Sequence, residues 1–310
     1  MIVTPSPQSL ELAITILKKG DLIGLPTETV YGLAGDATND LAVAKIFESK
    51  NRPSINPLII HGSSQETLKN HVEWNTFAQL LADSFWPGPL TLVLPRKASS
   101  SISLLASCGL ETLAVRIPNH PVALNLLSAI TKPLAAPSAN RSGRVSSTRA
   151  EHVEEDFPTL VILDGGDTTI GLESTILDLT TPHPTLLRPG GISREELEEV
   201  IGPISLPTTG GIKAPGMMKS HYAPSLPLRL NALEARTGEA FLGFGPTLAQ
   251  SNLNLSVTGD LREAAVNLFK MLRLLDRKDF KGIAVAQIPT QGLGLALNDR
   301  LQRASAPRDI

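Results

Sequence analysis

Residues 22–35, LIGLPTETVYGLAG, decide how the rest of the chain is read. Leu22–Leu25 is a short apolar run of the kind that forms a buried strand. Pro26 halts it, because proline has no N–H to give to a sheet ladder. A cluster of hydroxyls and one carboxylate follows, Thr27, Glu28, Thr29 and Tyr31, bounded by Gly32 and Gly35. A strand that empties into such a loop ends at a surface, and polar residues there often face a ligand. Beyond the loop, Val43, Ile46 and Phe47 fall on one face of a helix predicted from Asn39 or Asp40 to about Ser49. Strand, polar loop and helix form the repeating unit of an α/β fold.

The same alternation continues in both directions. Upstream, Leu10, Ala13, Ile16 and Leu17 predict a helix over 7–19, stopped by Gly20. Downstream, Pro53 and Pro57 pin a loop before a strand at 58–60 that ends at His61. Further apolar runs lie at 90–94, 113–117, 134–136, 160–163 and 175–179, with helix-like segments at 121–130 and 193–201. The direct strand-to-strand passages within 160–188 make the sheet mixed rather than wholly parallel. From Leu206 to Pro227 the stretch LPTTGGIKAPGMMKSHYAPSLP is punctuated by prolines and glycines and has no periodic apolar face, so it reads as a linker. A shorter α/β pattern then restarts, with strands near 226–230, 240–244 and 282–287 and helices near 260–275 and 294–304. The expected organisation is a domain over 1–205, a connecting segment over 206–227 and a second domain over 228–310.

Composition sets the outer bounds. The 310 residues are 42% hydrophobic and 19% charged, the balance of an ordinary globular protein. Aromatic residues make up 4%, too few for a nucleic-acid surface built on stacking, and a formal net charge of -2 argues against a broad phosphate-binding face. Cys108 is the single cysteine, which excludes internal disulfides and cysteine-based metal sites. The N-terminus lacks a signal series and no apolar run approaches membrane-spanning length, so a cytoplasmic location is expected.

Three groups of residues carry chemistry. Lys50 and Arg52 stand two positions apart beyond a helix end and can reach one anion, although cations at a helix C-terminus also complement its dipole. Pro137-Ser-Ala-Asn140, followed by Arg141, Arg144 and Ser146, sets hydroxyls, amides and guanidinium groups after an apolar strand; the segment suits phosphate or ribose oxygens, or is a solvated turn. His61, Arg116 and Arg188 lie at strand ends, and a strand arginine is costly to bury unless a carboxylate or a substrate anion pairs it. Arg116 shows no acidic partner nearby in sequence. Ser174 and Thr112 share the strand-mouth position. The chain has no P-loop, no G-x-G-x-x-G fingerprint, no H-E-x-x-H and no G-x-S-x-G.

Taken together these residues resemble the YrdC/Sua5 family. Its hallmark KxR…SxN corresponds to Lys50-x-Arg52 and Ser138-x-Asn140, and PTETVYGL, NRPxxxPL, WPGPLT, AVRIP and LRPG occur in order. The linker APGMMKSHYAP and the small domain after it match the two-domain type. The mild departure is Asn51, where the family often has glycine.

The resemblance implies a twisted mixed sheet with a large open cavity, joined to a small Rossmann-like C-terminal α/β domain. It implies synthesis of threonylcarbamoyl-AMP and pyrophosphate from L-threonine, bicarbonate or CO2, and ATP. A tRNA threonylcarbamoyltransferase complex would take the product for t6A at position 37 of tRNAs reading ANN codons; direct tRNA binding is implied only weakly. The threonine site would fall on Thr29, His61, Arg116, Ala136 and Ser174. The ATP site would fall on Lys50, Arg52, Asn56, Thr112, Ser138, Asn140, Ser146, Arg188 and Tyr222. No cofactor is held tightly; magnesium would arrive on the ATP phosphates, and no carboxylate cluster for it is evident. Catalysis would need no covalent nucleophile, with Lys50, Arg52 and Arg188 offsetting charge. The segment around Met217–Tyr222 would fold over the cavity as a lid. Two other readings stay open from the residues alone: a non-enzymatic RNA-binding module, and a carbamoyl-adenylate enzyme acting on another amine.

Overall fold

The computed structural model describes residues 1–207, 214–215, 220–246 and 250–307; Met217, Met218 and Lys219 of the expected lid lie outside them. The first stretch runs β1 (Ile2–Val3), α1 (Pro7–Lys18), β2 (Ile23–Leu25), β3 (Gly32–Asp36), α2 (Asp40–Lys50) and β4 (Ile59–His61). It continues through α3 (Gln65–Lys69), α4 (Thr76–Phe85), β5 (Leu90–Pro95), β6 (Thr112–Arg116), α5 (Pro121–Ile130) and β7 (Leu134–Ala135). Then come α6 (Ala150–Asp156), β8 (Val161–Leu163), β9 (Thr175–Asp178), β10 (Thr185–Arg188) and α7 (Arg194–Ile201).

The strands form one ten-stranded sheet in the order β1-β8-β2-β3-β7-β4-β6-β5-β9-β10. Parallel pairs such as β4 with β6 alternate with antiparallel pairs such as β5 with β6 and β9 with β10, so the sheet is mixed as expected. One part of the opening stretch departs from its reading as a loop. Gly32–Asp36 is a strand, paired antiparallel to β2 with Leu25 opposite Gly32 and Ile23 opposite Ala34. Gly32 leaves room for a close approach there, because a Cβ would lie 3.1 Å from the Ala136 Cβ.

Side-chain alternation divides the sheet into two different faces. Leu58, Ile60, Leu113 and Val115 turn to one side and pack with Val43 and Ile46 of α2 and Leu81 of α4. Their neighbours Ile59, Ala114, Val93, Ile176 and Leu187 turn to the other side, where they form a small apolar floor that also receives Ala214. Fully burying each aliphatic side chain contributes about 1.5–3 kcal/mol, so the helix-covered face fixes the sheet and frees the floor side for a site.

Local signals set the ends of α2. The Asn39 side chain accepts from the Leu41 and Ala42 N–H groups at its start. Asn51 ends it in the left-handed conformation, with φ 54° and ψ 42°. That conformation favours glycine and, after it, asparagine, which accounts for Asn51 between Lys50 and Arg52.

The second unit contains β11 (Leu228–Arg229), β12 (Glu239–Gly243), β13 (Leu253–Asn254), α8 (Leu261–Leu275), β14 (Gly282–Val285) and α9 (Leu293–Ser305). Its sheet is ordered β11-β14-β12-β13 and parallel throughout. Leu242, Leu268, Phe269, Val285 and Leu297 build its core. The same apolar cluster takes in Val30, Val145 and Leu172 of the first unit and Tyr222 of the connecting segment. The described part of that segment is therefore packed structure, not a bare spacer. Among the described residues no helix is long and apolar enough to cross a membrane.

Candidate active site

Because β4 and β6 are parallel neighbours in register, His61 stands directly beside Arg116. Ile59 precedes His61 by two and Ala114 precedes Arg116 by two, so all four turn to the floor side of the sheet. Over this side lies a narrow cavity of about 40 Å³. Thr29, His61, Arg116, Ala136 and Ser174 all line it, as do Arg52, Ser138, Arg188 and Tyr222. Pro215, His221 and Tyr222 of the connecting segment form part of its wall.

At one end, Arg116 is buried and paired. Its Nη2 lies 2.7 Å from Oε1 of Glu28, and its Nε donates to the Gly88 carbonyl at 3.1 Å. The sequence reading found no acidic partner for Arg116; the partner comes from the Pro26–Ala34 stretch, 88 residues away. Glu28 keeps its other oxygen, Oε2, buried without a hydrogen bond. His61 is held neutral: burial, then the neighbouring Arg116 charge, lower its pKa to about 3. In the loop before β3, Thr27 Oγ1 donates to the Val30 carbonyl at 2.6 Å and lies 2.8 Å from Thr29 Oγ1. This turn presents the Thr29 hydroxyl beside the cavity.

Ser174 immediately precedes β9, and its Oγ lies 2.7 Å from Thr91 Oγ1. Arg188, at the end of β10, donates to the Ser174 carbonyl from Nε at 3.1 Å and from Nη2 at 2.9 Å. Gly190 lets these strands close, since a Cβ there would come within 2.4 Å of the Glu173 carbonyl oxygen. Burial lowers the Arg188 pKa, yet an arginine stays charged at neutral pH.

Arg52 donates from Nε and Nη2 to the Asn56 and Pro57 carbonyls, each at 2.8 Å, while its guanidinium lines the cavity. Lys50 faces elsewhere. Its Nζ donates to the Ser138 carbonyl at 2.6 Å and also to the Asn140 carbonyl. The two halves of the KxR…SxN hallmark are thus bound to each other by an ammonium group that does not line the cavity. Burial, then the nearby Arg52, pushes that ammonium well below the usual lysine value.

The remaining expected nucleotide residues sit behind the wall. Asn140 donates from Nδ2 to the Arg141 and Arg144 carbonyls, shaping the loop. Asn56 is buried under Arg52. Ser146 donates to Glu173 Oε1 at 2.5 Å. Thr112 is the half-buried first residue of β6. None of these four lines the cavity.

The structure adds four residues that the sequence reading assigned to neither binding site. Thr27, Glu173 and His221 line the cavity, and Glu28 anchors Arg116. Among the described residues the buried Nδ1 of His221 and the buried hydroxyl of Tyr222 beside it have no hydrogen-bond partner. Buried polar groups normally find partners, so these two atoms mark where a ligand would bond. The cavity thus offers ion-paired Arg116 and neutral His61 at one end, the carbonyl-bound guanidinium groups of Arg52 and Arg188 at the other, and hydroxyls between. That arrangement suits holding two anions against each other.

A family model described as "Telomere recombination" matches residues 15–190, and one described as "Threonylcarbamoyl-AMP synthase, C-terminal domain" matches residues 192–306. The chain is 43% identical to the threonylcarbamoyl-AMP synthase of Pyrococcus abyssi, over 97% of this chain and 95% of the relative. Against the Bacillus subtilis protein of the same name the identity is 39%, over 99% and 95% of the two chains. The fold matches the crystal structure of P. abyssi Sua5 complexed with L-threonine at a TM-score of 0.89, with 40% identity and coverage of 98% and 97%.

Proposed function

We propose, from the premise that this chain belongs to the YrdC/Sua5 family, that it is an L-threonylcarbamoyl-AMP synthase. The observation that carries the reading is the single cavity in which His61 and Arg116 stand side by side while Arg52, Ser138, Arg188 and Tyr222 converge on the same space.

The reaction needs two bonds made and one broken. The threonine amine attacks CO2, or bicarbonate with loss of water, and sheds its protons to solvent as the carbamate forms. A carbamate oxygen then attacks the α-phosphorus of ATP, and the bond to the β-phosphate oxygen breaks, releasing pyrophosphate. Neither step calls for a protein nucleophile. The work left to the protein is alignment and offsetting of charge, which a cavity lined by cations supplies.

In this scheme Arg116, oriented by Glu28, takes the threonine carboxylate, and Thr29 and Ser174 offer hydroxyls. His61 is too weak a base at a pKa of about 3 to remove a proton at neutral pH, so it serves as a neutral hydrogen-bonding wall. Arg52 and Arg188 face the phosphates and oppose the charge that collects on the departing pyrophosphate. Lys50 keeps the Ser138–Asn140 loop at the nucleotide, acting through the protein rather than on it. Magnesium enters with ATP as part of the substrate; among the described residues no cluster of His, Cys, Asp or Glu side chains is placed to hold a metal ion.

Pro215, His221 and Tyr222 would serve as the lid of this site. Their place in the cavity wall fits a role in keeping water from the mixed anhydride. The product would pass to a tRNA threonylcarbamoyltransferase complex for t6A37 of tRNAs reading ANN codons, in the cytoplasm where ATP and tRNA are at hand. Incubation with ATP, bicarbonate and each amino acid in turn tests the assignment. Pyrophosphate should appear with L-threonine, more slowly with serine, and not without an amino acid. The threonine methyl is worth about 1–3 kcal/mol of discrimination in a fitted pocket. Salt-sensitive RNA binding without any turnover would favour the RNA-binding reading instead.

A further inference from the structure

Arg300 belongs to α9 of the C-terminal domain, yet its side chain is wholly buried against the first domain. A buried guanidinium is costly unless it is hydrogen-bonded, and here each of its three nitrogens has a partner. Nε lies 2.8 Å from Glu173 Oε2, Nη1 2.6 Å from Asp299 Oδ2, and Nη2 donates to the Pro189 carbonyl at 2.9 Å. The flat face of the group lies 4.9 Å from the centre of the Tyr222 ring.

Every one of these contacts outside its own helix falls on or beside a residue that lines the cavity. Glu173 lines it and is followed by Ser174. Pro189 follows Arg188. Tyr222 lines the cavity from the connecting segment and stacks on Phe269 of α8 at 5.6 Å. Glu173 extends the chain further, because its second oxygen takes the Ser146 hydroxyl. One side chain from the second domain therefore fastens three separate segments of the site wall, and a fourth through Glu173.

We infer that Arg300 is a positioning residue for the nucleotide end of the site, by which the C-terminal domain sets the placement of Arg188 and Tyr222. The inference rests on the synthase reading of the cavity. Arg300 also cancels a liability: Glu173 is a carboxylate in the wall of a cavity that must receive a triphosphate, and without its partner it would repel the substrate. Burial pushes the Glu173 pKa up, but Arg300 and Arg188 more than offset this and hold it below the usual glutamate range.

The test uses the full chain with Arg300→Lys, Arg300→Met and the double variant Glu173→Gln/Arg300→Met. Lysine keeps the charge but cannot fork to Glu173, Asp299 and Pro189 together. The double variant removes both charges and so guards against a stranded carboxylate that unfolds the protein. Each should raise the KM for ATP by about tenfold or more, which corresponds to about 1.4 kcal/mol, with the KM for threonine changed less than about twofold. In Arg300→Met the KM for ATP should also recover in part toward acid pH, because Glu173 loses the charge that kept it ionised and its protonation removes the repulsion. The double variant, with no carboxylate at 173, should lack that recovery. Hydrogen exchange without substrates should quicken together at 171–174, 187–190 and 220–224.

Wild-type KM values in the lysine and double variants overturn the inference. So do equal losses of ATP and threonine affinity, or exchange that quickens only within α9. If the wild-type protein itself makes no threonylcarbamoyl-AMP, the synthase reading fails, while the exchange measurement still decides whether Arg300 places these segments.

Discussion

Arg116 and Glu28 form a buried ion pair, Nη2 to Oε1 at 2.7 Å, with 4% and 5% of the two side chains exposed. The pair ties the β6 end to the polar loop that precedes β3, and it leaves Arg116 lining the cavity. Removing one partner strands the other, at a cost of about 3–5 kcal/mol of stability. Arg116→Ala should therefore lower the melting temperature and weaken threonine binding by about 2–5 kcal/mol, with ATP affinity nearly unchanged. Arg116→Ala/Glu28→Gln should recover stability but not threonine affinity. Calorimetry and thermal unfolding of both variants separate the two effects; unchanged threonine affinity in the folded double variant contradicts this role for Arg116.

Arg52 and Arg188 should show the reverse pattern. Each holds backbone carbonyls with part of its guanidinium and lines the cavity. Arg52→Lys or Arg188→Lys keeps the charge and loses the fork. The loss of charged hydrogen bonds at about 1.5–3 kcal/mol each predicts ATP affinity down roughly tenfold to a hundredfold. Threonine affinity should stay within about twofold, which titration calorimetry can read directly. Lys50→Ala should weaken ATP binding through the Ser138–Asn140 loop it anchors, visible as faster hydrogen exchange at 138–141.

Tyr222 gives a prediction with opposite signs for stability and function. Its hydroxyl is buried without a partner, which costs about 1–3 kcal/mol in the ligand-free protein. Tyr222→Phe should leave the protein as stable as wild type or more so, because the ring keeps its place between Arg300 and Phe269. ATP binding should weaken, since the hydroxyl's partner arrives with the nucleotide. A phenylalanine variant that is less stable and binds ATP normally would show that the hydroxyl is bonded within the protein.

Much of the architecture is legible in the sequence because β4, β5, β6 and β9 are covered on both faces and so read as apolar runs. Strand ends were equally legible: His61, Arg116 and Arg188 lie where an apolar run meets a charge. Strand Gly32–Asp36 is hidden, since its glycines lack the bulk that marks a strand and are there to let Ala136 and Leu22 approach. Helix Thr76–Phe85 stands outside the elements read from the sequence, although Asn75 caps it and Ala78, Leu81 and Ala82 are buried at helical spacing. Partners distant in sequence cannot be seen at all. Glu28 meets Arg116 across 88 residues and Glu173 meets Arg300 across 127, and no local pattern announces either pair. The direction of Lys50, toward carbonyls rather than toward the cavity, is likewise a property of packing.

Acid sensitivity follows from three buried histidines. His61, His152 and His221 are each lowered from 6.5 to about 3, in every case mainly by burial. The unfolded chain regains the ordinary value and binds protons that the folded chain refuses. Stability therefore falls as pH drops from about 6.5 toward 3, by up to about 1.4 kcal/mol per pH unit for each histidine, and these groups contribute no slope above about pH 7.5. Urea midpoints between pH 7.5 and 5 measure it. His152→Gln should flatten the slope by one histidine's share; a midpoint independent of pH over this range contradicts the prediction.

The most direct test of the synthase reading supplies ATP, L-threonine and carbon-13 bicarbonate to the purified protein and follows both products by mass and by phosphate assay. The account predicts labelled threonylcarbamoyl-AMP and pyrophosphate appearing in equal amounts, with neither formed when threonine or bicarbonate is left out. Pyrophosphate released without an amino acid, or an adenylate that carries no label, would contradict it.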